Sequence, residues 1–269
     1  MLSAAASPEV PSTVIRVERL RCGYNDRDVL KELSFEVQRG EFVGILGPNG
    51  AGKSTLLLAM SGIVPVRGGG IEVLGRPVEK LRPKERARGM AVIAQDADAR
   101  FPFTCREVVQ MGRYPHQGRW KLDSLEDEAV VSRVLHITDT AVLAERLITA
   151  VSGGERQRVV VARALAQQTP ILLLDEAVSA MDVHRKLQVF RLLERLNVEE
   201  KLTVLAVLHD VNLAAFFCRR MIFLKGGEMA ADGQVFEVLT PEVLEEVYQT
   251  KVLVQEIGRT GKRQVIFLP

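Results

Sequence analysis

The sequence predicts an α/β fold with a mostly parallel core sheet, joined by an antiparallel β segment and a helical segment. Short apolar runs such as ILLL at residues 171–174 and LTVLAVL at 202–208 read as strands buried on both faces. Stretches with helical spacing alternate with them, as in Val189, Leu192, Leu193 and Leu196 at i, i+3, i+4 and i+7. Apolar strands alternating with helices imply crossover connections and therefore parallel strands.

Residues 1–13 have no basic start and no continuous apolar core, so they read as a flexible tail and not as a secretory signal. Residues 14–37 alternate loosely around the turn-like GYNDRD, which predicts antiparallel strands. EFVGILG at 41–47 reads as a buried strand running into a glycine loop. KSTLLLAMS at 53–61 reads as a helix with Leu56, Leu57 and Met60 on one face. GGGIEVLGRPV predicts a short strand between glycine turns, and MAVIAQ at 90–95 a strand ending on a polar residue. The stretch 106–147 is mixed in charge and poor in strand signals, so a helical subdomain is placed at about 96–152. GGERQRVVVARALAQQ, from Gly153, reads as a helix, with Pro170 closing the connection to the next strand. MIFLKGGEMAADG reads as a hairpin and PEVLEEVYQ as a late helix opened by Pro241. The main domain thus spans 14–250. Residues 251–269 form a short C-terminal extension whose VLVQEI and RQVIFLP suggest a small hairpin.

A net charge of +2 gives no reason to expect a nucleic-acid or anionic-membrane binder. Cys22, Cys105 and Cys218 are far apart and odd in number, forming neither a disulfide framework nor a zinc spacing. They fit a reducing compartment, as small hydrophobes. No apolar run approaches the ~20 residues that cross a bilayer.

The chemistry concentrates in GPNGAGKST, residues 47–55. Gly47–x4–Gly52–Lys53–Ser54 fits the phosphate-binding loop pattern. Backbone N–H groups wrap a polyphosphate most tightly where no side chain intervenes, and a following helix adds its positive end. Lys53 can reach the β- and γ-phosphates, and the Ser54 hydroxyl can ligate Mg²⁺. An ordinary glycine turn would share the composition, but the strand before and helix after are the context that the phosphate pattern requires. ILLLDE offers Asp175 as a carboxylate beside that Mg²⁺ and Glu176 as a general base for an attacking water. Alone, the two would read as solvated acids at a strand exit. VSGGERQR, from Val151, is either another anion site or simply a helix capped by Ser152.

In this order the residues resemble the ATP-binding subunits of ABC transporters, over about residues 14–249. The stretch Gly47, Pro48, Asn49, Gly50, Ala51, Gly52, Lys53, Ser54 and Thr55 resembles Walker A. VSGGE resembles the ABC signature, ILLLDE Walker B, and SAMD, ending in Asp182, the D-loop. Gln95 resembles the Q-loop glutamine, His209 the switch histidine, and Tyr24, placed before the first strand pair, the adenine-stacking aromatic. The resemblance implies a P-loop ABC-ATPase fold and Mg²⁺-dependent hydrolysis of ATP. It implies a head-to-tail homodimer in which Ser152, Gly153 and Gly154 of one subunit close over the γ-phosphate on Walker A of the other. It further implies that Gln95 senses Mg²⁺ and water, that His209 contacts the γ-phosphate and orients Glu176, and that Asp182 bridges the subunits. The chain departs from the usual pattern at Val151, commonly leucine, at Glu155, commonly glutamine, and in EAVSAMD where EPTSALD is more typical.

REVVQMGRYPHQGRW at 106–120 resembles the ATPases of importers for iron–siderophore, haem and cobalamin. That implies a subunit on the cytoplasmic face of the membrane, bound to an integral membrane permease pair. It would be served indirectly by a periplasmic or extracellular substrate-binding protein, with no nucleic acid involved. The alternatives are another cargo, such as molybdate, lipid or amino acid, and a soluble ABC ATPase outside transport. In the family, the stretch after the Q-loop glutamine meets the permease, so Phe101 and Phe103 are either contact residues or core of the helical subdomain. His116, one histidine alone, does not make a metal site.

Overall fold

β1 (Thr13–Tyr24) and β2 (Arg27–Gln38) form a long antiparallel pair, and β3 (Phe42–Leu46) runs directly into the glycine loop. The computed structural model describes residues 11–25, 27–94, 102–118, 124–175, 181–258 and 261–269. Most of the 1–13 tail lies outside them, and β1 already begins at Thr13. After the loop come α1 (Lys53–Met60), β4 (Val66–Val73), β5 (Arg76–Pro77), α2 (Pro83–Gly89) and β6 (Met90–Ile93). A helical stretch follows, with α3 (Cys105–Gln110), α4 (Leu125–Ile137) and α5 (Gly153–Ala166). The chain then alternates through β7 (Ile171–Asp175), α6 (Val183–Glu200), β8 (Thr203–Val207) and α7 (Val211–Phe217). It closes with β9 (Arg220–Lys225), β10 (Glu228–Gln234), α8 (Val235–Val238), α9 (Pro241–Tyr248), β11 (Val252–Glu256) and β12 (Arg263–Phe267).

The central sheet has the order β10-β9-β3-β8-β7-β6, parallel except where the β9–β10 hairpin turns back at its edge. A second, antiparallel sheet has the order β2-β1-β4-β5. Alternate residues of each central strand enter different cores. Phe42, Leu172, Leu174, Val204, Ala206 and Phe223 face the side covered by α5, α6 and α7. Val43, Ile45, Ile171, Leu173, Leu205 and Val207 face α1 and the antiparallel sheet. Both faces of the pleat are therefore dry, which is why these strands are apolar without alternation.

Several elements differ from the sequence expectation for visible reasons. α1 buries Lys53, Thr55, Leu56, Leu57, Ala59 and Met60, not one face alone, because it is sandwiched between the two sheets. β4 is longer than expected and includes Gly68, Gly69 and Gly70: Gly68 and Gly70 pair with β1, and Gly69 sits in a bulge between them. β6 stops at Ile93, and Gln95 lies outside the described residues. The short helices α2 and α7 carry little periodicity, but their caps are legible. Pro83 opens α2, where Glu85 reaches back to the Arg82 N–H at 2.9 Å. Asp210 caps α7 by accepting from Leu213 N–H at 2.9 Å.

The helical segment has its own core of Cys105, Val109, Val131, Leu135 and Ile148. α5 belongs to it through Val159 and Ala162 and to the central core through Val160 and Val161. The boundary placed near 152 thus falls at the start of a helix shared by both parts. Arg113, in the MGRYPH stretch, anchors this junction. It donates to Asp127 Oδ1 at 2.7 Å, to the Ala166 carbonyl at 2.9 Å and to Gln168 Oε1 at 2.7 Å. Its side chain is only 3% exposed and that of Asp127 only 9%, so each charge depends on the other. His116 Nε2 bonds the Gln167 carbonyl at 2.8 Å, tying the same stretch to the end of α5. All three cysteines are free and buried. Burial pushes the Cys22 thiol up to about 11 and the Cys218 thiol higher still, which keeps both protonated and inert.

Burial alone would raise the Asp127 carboxyl, but the Arg113 and Ser124 hydrogen bonds outweigh it and hold the group below its ordinary value. A carboxyl lowered on folding stabilises the fold above its unfolded value of about 4 and loses that contribution as pH falls through the folded value. Asp127→Asn should therefore cost about 3–5 kcal/mol at neutral pH, because it leaves Arg113 buried and unpaired. Denaturant unfolding of both proteins should show that gap shrinking below pH ~4. A gap that is absent, or independent of pH, would mean the pair does not hold this junction.

Candidate nucleotide site

The parallel order brings the carboxyl ends of β3, β8 and β7 side by side, the edge at which open α/β sheets hold ligands. β3 delivers residues 47–55, β7 delivers Asp175 at its last position, and His209 follows β8. Residues about 120 apart in sequence thus meet: Ser54 Oγ donates to Asp175 Oδ1 at 2.9 Å. Both are hard oxygen ligands of the kind that bind Mg²⁺.

The loop is built around space that side chains would fill. A Cβ on Gly47 (φ +141°) would lie 2.1 Å from the Leu224 carbonyl oxygen. Gly52 (φ +97°) caps α1 in a left-handed conformation, and its Cβ would come within 2.5 Å of Leu30. Only glycine fits both demands. Ala51 N–H closes a turn on the Pro48 carbonyl at 3.2 Å. Lys53 folds back, donating to the carbonyls of Gly47 at 2.9 Å and Pro48 at 3.0 Å. At 5% exposure Lys53 is nearly buried beside its own loop. The first-turn N–H groups of a helix have no intrahelical acceptor, and Lys53, Ser54 and Thr55 of α1 line the cleft, so this helix start suits an anion there.

That cleft has a volume of about 370 Å³ and is lined by Asn49, Gly50, Gly52, Lys53, Ser54, Thr55 and His209, with Val29 of β2 forming a wall. His209 is exposed to it. Tyr24 is not ahead of the first strand pair: it ends β1 and pairs with Arg27 across the β1–β2 turn, 49% exposed. An aromatic ring that exposed is not core packing and remains available for stacking. Val29 carries no sequence signal, because its role follows from β2 lying against the loop.

A second group lies on other elements. Ser152 caps α5 and forms a capping box with Glu155: its hydroxyl donates to Glu155 Oε2 at 2.8 Å and accepts from Glu155 N–H at 3.4 Å. The Ser152 N–H and hydroxyl, with Arg146 and Arg185 nearby, hold the Glu155 carboxyl below its ordinary range. A Cβ on Gly153 would meet nothing, whereas Gly154 lies under the Arg185 guanidinium. Asp182 caps α6, accepting from Arg185 N–H at 2.9 Å. Ser152 is thus the helix cap that sequence allowed, and its exposure keeps the other reading open as well. Glu176 and Gln95 lie outside the described residues, as do residues 177–180 and Phe101. Among the described residues no helix is long and apolar enough to cross a membrane.

Residues 30–179 match the sequence profile of the ABC transporter family. The iron(3+)-hydroxamate import ATP-binding protein FhuC of Bacillus subtilis is 40% identical over 248 residues, covering 92% of each chain. The hemin import ATP-binding protein HmuV of Streptomyces coelicolor is 42% identical over 261 residues, covering 96% of this chain and 92% of that one. Among solved structures, a transporter assigned to the metal-chelate ABC type, in an inward-facing conformation, superimposes with a TM-score of 0.83. It shares 27% identity and covers 96% of this chain and 98% of its own. The phosphate-binding loop, the Ser54–Asp175 contact and these relatives together place the chain in the family of ABC transporter ATPases.

Proposed function

We propose that this protein is the ATP-hydrolysing subunit of an importer for an iron chelate, such as a siderophore or haem, or for cobalamin. We further propose that it works as a homodimer on the cytoplasmic face of a membrane, bound to a permease pair. One observation carries the chemistry: a single cleft is lined by a glycine cradle, a buried lysine and Ser54, whose hydroxyl is bonded to the Asp175 carboxylate. Mg²⁺ would be held by Ser54 and Asp175, with Gln95 as the sensing residue that the family resemblance implies, and would neutralise charge on the transferred phosphoryl group. The loop N–H groups and Lys53 hold the phosphates, and Tyr24 stacks on the adenine. Glu176, one residue past Asp175, takes the proton of the attacking water, and His209 reaches over from β8 to orient it. Ser152, Gly153, Gly154 and Asp182 complete the site from the partner subunit. An exposed helix start with an open Gly153 suits a ligand brought by another molecule, which supports that reading.

The cargo is read from the relatives above, whose names specify iron–hydroxamate and haem import. The permease contact is read from the surface beside α3. Phe103, Met111 and Tyr114 are 41%, 43% and 74% exposed, and the last two border a shallow cleft of about 430 Å³. Phe103 is therefore not wholly used as core, and exposed large apolar side chains of this kind suit a partner helix.

Lys53→Ala should weaken MgATP binding at least ~10-fold, the worth of one hydrogen bond to a charged group; unchanged affinity would remove the loop assignment. Glu176→Gln should bind ATP normally yet release phosphate at least ~100-fold more slowly, and near-normal turnover would take Glu176 out of the base role. Affinity capture from gently solubilised membranes should recover a polytopic permease. Tyr114→Ala should reduce that recovery without disturbing nucleotide affinity. Recovery of ribosomal or DNA-associated proteins in place of a permease would sink the transport reading.

A further inference from the structure

Arg185 lies between the two exposed caps that the proposed function assigns to the partner's nucleotide. Its Nη1 approaches Ser152 Oγ at 3.5 Å, its Nε approaches Asp182 Oδ2 at 3.2 Å, and its own N–H binds Asp182 Oδ1 at 2.9 Å. A Cβ added to Gly154 would come within 2.6 Å of the same guanidinium. One side chain on the first turn of α6 thus touches the start of α5, which belongs to the helical segment, and the start of its own helix, which belongs to the core. The neighbouring charge explains the need for it. Glu155 Oε2 accepts from both the N–H and the hydroxyl of Ser152 at 2.8 Å, so a carboxylate sits at the lip where a phosphate would have to approach. Glu155, held below its ordinary range, carries a full negative charge there, and like charges at this range repel. Arg146, the other cation near Glu155, donates to the Ala150 carbonyl.

We propose that Arg185 is a positioning residue of the composite nucleotide site. It holds the Ser152 and Asp182 caps as one unit, and its charge offsets that of Glu155, so that the turn at Ser152 can close on the γ-phosphate held by a second copy of this chain. The inference rests on the proposed head-to-tail site. Its chemistry is local. On closure the Ser152 hydroxyl turns its proton from Glu155 to a phosphate oxygen, while the Ser152 N–H keeps its bond to the carboxylate and the guanidinium offsets the remaining charge.

The test uses the full chain carrying Glu176→Gln, so that ATP is retained, with MgATP-driven dimerisation followed by light scattering. Arg185→Ala and the near-isosteric Arg185→Gln should each raise the MgATP concentration for half-dimerisation on the order of tenfold, the worth of one charged hydrogen bond. Arg185→Lys should restore part of it. Adding Glu155→Gln to Arg185→Gln should restore most of it, a rescue that a purely structural role does not produce. Dimerisation of both neutral variants at the unaltered MgATP concentration would overturn the proposal, and so would failure of Glu155→Gln to rescue. Ser152→Arg separates the underlying reading. If that bulky variant still dimerises with MgATP, the head-to-tail site itself is wrong. If it does not, while the Arg185 variants dimerise normally, only the role of Arg185 falls.

Discussion

A strand buried on both faces can present polar chemistry only at its ends, and this constraint organises the molecule. β3, β7 and β8 have no wet side, because α1 and the antiparallel sheet cover one face and α5, α6 and α7 the other. Their side chains are given over to packing. What the strands deliver at their carboxyl ends is therefore the loop at 47–55, Asp175 and the start of the segment carrying His209. Parallel pairing then sets these ends in one row, and a cleft forms from residues that are remote in sequence.

The loop itself is stabilised by contacts that a ligand can take over. Lys53 donates to two carbonyls of its own loop, and Ser54 donates to Asp175. Both arrangements give polar groups at the loop hydrogen-bond partners within the protein. Both also place a cation and a pair of oxygen ligands where a polyphosphate and its counter-ion need them. The glycines at 47 and 52 make this compatible with tight packing. The Leu224 carbonyl and the Leu30 side chain occupy the volume that any Cβ would claim, so the cradle is a product of its supports as much as of its own residues.

Among the described residues, the helical segment is joined to the core through a shared helix and through Arg113, which bonds the end of that helix. α5 contributes to both cores, and Arg113 ties the MGRYPH stretch to Asp127 and to the end of α5. At the other end of α5, Ser152 touches Arg185 of α6. A displacement of the helical segment would thus be felt at both ends of one helix. The exposed side chains beside α3 lie on the same segment as the turn at Ser152.

Much of this was legible in the sequence because it depends on local rules. Apolar runs with polar exits identified β3, β7 and β8, helical spacing identified α6, and Pro241 marked the start of α9. The loop pattern named Gly47, Gly52, Lys53 and Ser54 outright, since its chemistry is carried by contiguous backbone. Short helices such as α2 and α7 were not legible, having too few turns for a period to show. Tertiary structure alone decided that α1 is buried nearly all round, that Val29 walls the cleft, and that Tyr24 belongs to the β1–β2 turn. It alone showed that Arg113 is a buried partner of Asp127 and that Arg185 joins two caps 30 residues apart. Composition and spacing record what a segment does with its neighbours in the chain. Which distant segment fills the space beside it depends on the order of strands in the sheet, and no local pattern carries that order.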